Sequence, residues 1–134
     1  MGSVSQMALL YDEDCGFCRF SVALLLKLDR RRRLRPVAIQ APEGQRLLVS
    51  LPEQARVASA HLVDPGGRLH SGGAAIAPVL AELPGAGPLA RLAARLPGAS
   101  DRGYRTIADH RGWLGRRLPE RARRWADATI AARA

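Results

Sequence analysis

The chain is short of aromatic residues, lysine, cysteine and long apolar runs, and each shortage excludes something. Aromatic residues make up only 4%, so any core must rest on Leu, Val, Ile and Ala. The longest apolar run, Val22 to Leu26, ends at Lys27 and falls far short of the ~20 residues of a membrane span. No membrane partner is therefore expected. The N-terminus lacks the basic segment and apolar stretch of a secretory signal. Gln6 stands where a myristoylation pattern needs Ser or Thr, and a cytoplasmic location is expected. Two cysteines cannot build a disulfide framework. In a reducing compartment such a close pair points to catalysis or metal binding, not to a structural staple.

What remains is the composition of a globular protein: 134 residues, 47% apolar and 25% charged. This suits a single domain over 1–134, with a core over about 7–83 and a helical extension over about 89–134. The net charge of +9 is uneven. Residues 1–90 carry ten basic and eight acidic side chains, +2; residues 91–134 carry eleven Arg and four acids, +7. A basic patch of this kind serves nucleic acid, an anionic surface or an acidic partner. A solvated helical face explains it more economically.

Met7 to Tyr11 is a short apolar run of strand type. From Gly16 to Arg30 the pattern is helical: Phe17, Phe20, Leu24 and Leu28 recur at three- and four-residue steps, and Val22, Leu25 and Leu26 widen the stripe. Arg30 to Arg33 close this helix at the negative end of its dipole. Leu34–Ile39 predicts a second strand, Pro42–Leu51 a short helix ended by Pro52, Ala60–Asp64 a third strand and Arg68–His70 a fourth across a Pro65-Gly-Gly turn. A helix runs from Ser71, its expected N-cap, through Glu82. Helical pieces follow at Leu89–Leu96 and Asp101–Leu114. A last one, open to fraying, starts at Pro119. The order β-α-β-α-β-β-α, then a helical tail, is that of an α/β thioredoxin-like core with a small mixed four-stranded sheet. Right-handed crossover makes the first two strands parallel, and the hairpin adds two antiparallel ones.

The chemistry concentrates where the first strand meets the first helix, Asp12-Glu-Asp-Cys-Gly-Phe-Cys18. Positions i and i+3 share a helix face, so both sulfurs meet. The free N–H groups of an opening turn and the positive dipole end stabilise a thiolate. Cys15 is thus the expected nucleophile, and Cys18, one turn deeper, the resolving thiol of an exchange through a mixed disulfide. Gly16 leaves the approach open and Phe17 offers substrate an apolar contact. Asp14 and Asp12 are the acidic candidates. Asp14 opposes a thiolate next door or caps the helix; Asp12 accepts the Cys18 proton or shapes the turn. Capping and turn roles are favoured over proton transfer. The competing use of the pair is half a zinc site, which wants a second local pair of ligands. Only a hairpin drawing His61 and His70 together would supply one. Exchange without metal or organic cofactor is the preferred reading.

Tyr11-Asp-Glu-Asp-Cys-Gly-Phe-Cys18 resembles the Tyr-Asp-Gly-Asp-Cys-x-x-Cys signature of the DCC family, whose members are classed as thiol-disulfide oxidoreductases of thioredoxin-like fold. Tyr104-Arg-Thr-Ile-Ala-Asp-His-Arg111 is similar to the family's C-terminal Tyr-x-Trp-Ile-Ala-x-Asn-Arg segment. The likeness spans about residues 7–115 and implies a protein or small-molecule thiol or disulfide as partner. Glu13 replaces the family's usual Gly, and Thr106 and His110 stand where Trp and Asn are common. Thioredoxins and glutaredoxins carry a cis-proline before the third strand. Arg56 to Ala60 has none, so substrate pairing there is expected to differ. Gly72-Gly73 stands where glutaredoxins hold the glutathione carboxylate on backbone N–H groups, though a turn that needs glycine is the favoured reading. The alternative function is a thioredoxin-fold binding module docking an acidic partner through its basic C-terminal helices. Nucleic-acid binding is disfavoured: Trp113 and Trp125 are expected to pack, leaving Arg to water.

Overall fold

The computed structural model describes residues 6–133. Strand β1 (Met7–Tyr11) feeds helix α1 (Gly16–Leu28), which returns to β2 (Leu34–Ala38). β1 and β2 pair in parallel, with Leu9 opposite Pro36 and Tyr11 opposite Ala38. Two short helices, α2 (Pro42–Leu47) and α3 (Glu53–Ala58), lead to the hairpin β3 (His61–Val63) and β4 (Leu69–Ser71). β3 runs antiparallel to both β1 and β4. The sheet order is β2-β1-β3-β4, so β1 is central, and the strand that carries the redox motif at its end is buried on both faces. This is the expected thioredoxin-like mixed sheet.

One face of the sheet packs Leu9, Tyr11, Leu34 and Leu62 against Val22, Ala23 and Leu26 of α1 and against Val79 and Leu83. The other buries Ala8, Leu10, Val37, Ile39 and Leu48. The buried stripe of α1 is therefore rotated from the one expected. Leu24 and Leu28 are 42% and 57% exposed, while Ala23 and Leu26 are inside, because a small residue at 23 lets the helix lie close to the sheet. The helix also ends at Leu28, before the Arg run. Asp29 caps it, and Arg32 takes a left-handed φ of 54° in the turn to β2.

Beyond β4 several expected boundaries move. Ser71 stands at the N-cap position, but of a 3₁₀ turn, Gly72–Ala75, that precedes α4 (Ile76–Glu82), and its hydroxyl makes no capping bond: it meets His61 Nδ1 at 2.7 Å. The helix expected over Pro42–Leu51 stops at Leu47, and Pro52, instead of ending it, stands at the N-cap of α3, where its fixed φ fits an extended residue ahead of a helix. Next come α5 (Gly87–Arg95) and α6 (Pro97–Asp109). The expected Asp101–Leu114 piece is split by a break at His110 into α6 and α7 (Arg111–Arg116). The last helix, α8 (Glu120–Arg133), is docked along α1 and buries Ala126 and Ile130. Trp125 packs on it as expected, its ring edge-on to Phe20 at 5.8 Å. Trp113 does not: it is 48% exposed and stacks only under the Arg117 guanidinium, 4.4 Å away.

Candidate active site

The C-terminal end of the central strand β1 leads into a short turn, and α1 begins at Gly16, four residues beyond Asp12. Asp12 Oδ1 accepts the Asp14 N–H at 3.0 Å, an Asx turn. The same oxygen accepts from Gln40 Nε2 at 2.7 Å, and Gln40 Oε1 accepts the Glu13 N–H at 3.2 Å. Gln40 thus braces the loop from the neighbouring strand end. It escaped the sequence reading because only the parallel pairing of Tyr11 with Ala38 brings the two strand ends together.

The N-cap of α1 is Cys15 itself, in an extended conformation (φ −105°, ψ 112°), and its Sγ accepts the Cys18 N–H at 3.2 Å. The capping role considered for Asp14 therefore falls to the sulfur; Asp14 is exposed at the rim. A sulfur at the N-cap receives an otherwise orphaned donor of the first turn, an interaction that strengthens if the sulfur carries negative charge. Cys18 lies one turn on. Burial first, then its contact with Cys15, pushes its thiol up to about 12. Desolvation disfavours a thiolate, and the neighbouring sulfur and Asp12 add to that; Arg111 opposes it. Both sulfurs are free thiols and half-buried.

The two cysteines open onto different surroundings. Cys18, Phe17 and Asp12 line a long groove of about 680 Å³. Its walls are mainly apolar, with Leu25 of α1, Leu80 of α4, Leu92 of α5 and Ile107 of α6 among them. Cys15 and Gly16 instead border a recess of about 470 Å³ with Asp14 and four arginines. Arg111 lies on the boundary of both.

The C-terminal segment thus takes part in the site. Tyr104 reaches back from α6, and its hydroxyl accepts the Ala60 N–H at 2.7 Å. Burial raises the Tyr104 phenol above its ordinary value, keeping it a neutral partner. Ala60 is the residue before β3, the spot where proline is absent; its N–H is committed to Tyr104 and its carbonyl to Gly72 N. All residues described have trans peptides there. Tyr104 and Arg111, the two ends of the second motif, stand beside Cys18, at the end of the first. Sequence spacing alone gives no hint of that convergence.

Gly72 and Gly73 have packing reasons of their own. Gly72 has φ +57°, with a Cβ meeting the Tyr104 ring at 3.5 Å, and a Cβ on Gly73 would collide with the Asp101 backbone of α6. α6 lies on this turn, and Gly73 is buried. The hairpin histidines are separately engaged. His61 bonds Ser71 and the Arg56 carbonyl (2.9 Å), and His70 Nε2 lies 3.1 Å from Asp64 Oδ2. Among the described residues no three His, Cys, Asp or Glu side chains are grouped to hold a metal, and no helix is long and apolar enough to cross a membrane.

No curated protein and no solved structure matches the chain. The family model for DCC1-like thiol-disulfide oxidoreductases matches residues 9–117. That span takes in the Cys15–Cys18 turn, the hairpin, Tyr104 and Arg111, so the resemblance read from two motifs extends over most of the sequence, and the chain belongs to the DCC1-like thiol-disulfide oxidoreductase family.

Proposed function

We propose that the protein exchanges dithiol for disulfide through Cys15 and Cys18, with Cys15 as attacking sulfur and Cys18 as resolving sulfur. The observation that carries this is the asymmetry of the pair. Cys15 Sγ sits at the N-cap and accepts an amide N–H, while burial holds Cys18 as a thiol, pushed up to about 12. Only thiolates attack disulfides at useful rates. The first step is attack by Cys15 on a substrate disulfide, giving a mixed disulfide and releasing one substrate thiol. Cys18 then loses its proton, attacks Cys15 Sγ and releases the second. Asp12 and Asp14 shape the turn and its charge; Gly16 and Phe17 are the substrate-facing positions between the sulfurs. Neither step requires a metal or organic cofactor.

Trapping tests the assignment. Cys18→Ser, incubated with a disulfide such as hydroxyethyl disulfide, accumulates a mixed disulfide visible by mass spectrometry, and Cys15→Ser accumulates none. Equal trapping by the two variants removes the role assignment.

A further inference from the structure

The basic excess of the C-terminal third is gathered partly at Cys15. Helix α7 crosses the start of α1 at close range, with Gly115 so near that a Cβ there would lie 3.3 Å from Phe17 N. This approach sets Arg111 and Arg116 of α7, with Arg123 of α8 and Arg19 of α1, around the recess that holds Cys15 and Asp14. Arg19 is neutralised, its Nε 3.3 Å from Asp127 Oδ1. The other three have no carboxylate within ion-pair distance among the described residues. Arg111 and Arg123 each give one N–H to a carbonyl, those of Val57 (3.2 Å) and Gly115 (2.8 Å), which fixes their heads and leaves other donors unspent. Three unpaired guanidiniums against the single Asp14 carboxylate leave an excess of two positive charges beside the sulfur.

We propose that the thiol or disulfide exchanged at Cys15 is a small molecule with carboxylate or phosphate groups beside its sulfur. The proposal rests on the exchange reading above and names its substrate class. Guanidiniums pair with both anions in the same forked geometry, and a focused positive potential raises the local concentration of an anionic reactant. A recess of about 470 Å³ is of small-ligand size, and α7 walls one side of it. The chemistry balances without another reactant. The Cys15 thiolate forms a bond to one substrate sulfur as the substrate S–S bond breaks, and the released thiolate takes up a proton. Cys18, giving up its proton, closes the Cys15–Cys18 disulfide and expels the second substrate thiol. The substrate disulfide is reduced to two thiols, and the protein dithiol is oxidised.

Three dialkyl disulfides that differ chiefly in charge provide the test: dithiodipropionate (anionic), hydroxyethyl disulfide (neutral) and cystamine (cationic). Rates of oxidation of the reduced full chain are divided by the rates of the same reagents with dithiothreitol. The expected order is anionic, neutral, cationic, with about tenfold or more between the extremes. The anionic advantage shrinks as salt rises from 0.01 M to 1 M, because exposed charges are screened. Arg116→Gln, whose side chain makes no hydrogen bond to the described residues, lowers the anionic-to-cationic ratio, and Arg116→Glu lowers it further. The salt series on the unmodified chain reads the same property if a variant misfolds. The bis-phosphate ester of hydroxyethyl disulfide, run alongside, separates phosphate from carboxylate preference. A flat or reversed order, or a ratio insensitive to salt, overturns the substrate class while leaving exchange standing. No reaction with even the neutral disulfide overturns both.

Discussion

Cys18 is half-buried, and that burial bears on its titration. Since burial favours the protonated form, the thiolate fraction grows about tenfold per pH unit until the folded value is reached. Burial, the largest cause of the raised value, survives in Cys15→Ser while the contact with Cys15 is lost, so alkylation of Cys18 in that variant by iodoacetamide is expected to keep rising above the ordinary thiol value of about 8.5; a plateau at that ordinary value contradicts the burial argument. His61 is the second residue with a pH signature. It is 1% exposed, and burial holds its ring below its usual 6.5. Arg56 O only accepts, so Nε2 carries the proton and Nδ1 accepts from the Ser71 hydroxyl. The unfolded chain takes up a proton first as pH falls, so the stability contributed by neutral His61 is complete above about 6.5 and is lost as pH falls from there toward the lower folded value. Urea midpoints measured from pH 7.5 to 5 are expected to drop more steeply for the native chain than for His61→Gln; parallel slopes exclude His61 as the cause. Neither pairing was legible in the sequence, where His61 entered only as a candidate partner of His70 across the hairpin. The register that sets it opposite Ser71 belongs to the hairpin.

The elements that position the site were largely legible, and the misses share a physical cause. β1, β2, the hairpin and the start of α1 carry strong local signals: apolar runs, a Pro-Gly-Gly turn, a cysteine pair. The buried face of α1 was misread because a stripe of large residues looked like the core. Contact with a sheet rewards a close-lying Ala23 as much as a bulky Leu24. The break at His110 and the helix after Pro52 depend on tertiary packing that outweighs local propensity. α8 looked prone to fraying because an isolated helix of that length is marginal. Its hold comes from Arg133, which donates to Asp29 Oδ2 (3.1 Å), Asp29 O (2.9 Å) and Leu26 O (3.1 Å) at the end of α1. The Asp29 side chain is fully buried and that of Arg133 only 11% exposed. Removing one partner of a buried pair leaves the other uncompensated, so Arg133→Ala is expected to cost about 3–5 kcal/mol in chemical denaturation. A loss below roughly 1 kcal/mol, the range of exposed pairs, would show the pair to be solvated.

Over the whole molecule, segments far apart in sequence share one site. The N-terminal motif supplies the sulfurs, Gln40 braces their turn, and α6, α7 and α8 bring Tyr104 and the arginines from more than sixty residues downstream. The family resemblance located both motifs, while the convergence of their ends needed the fold. The dock of α8 on α1 has a consequence in time. A ribosome makes Cys15 first and Arg133 118 residues later (133 minus 15), about 6–24 s at roughly 5–20 residues per second. For that interval the dithiol is without the completed α8 that clasps the end of α1 through Arg133, so the redox pair is synthesised well before its own scaffold is closed.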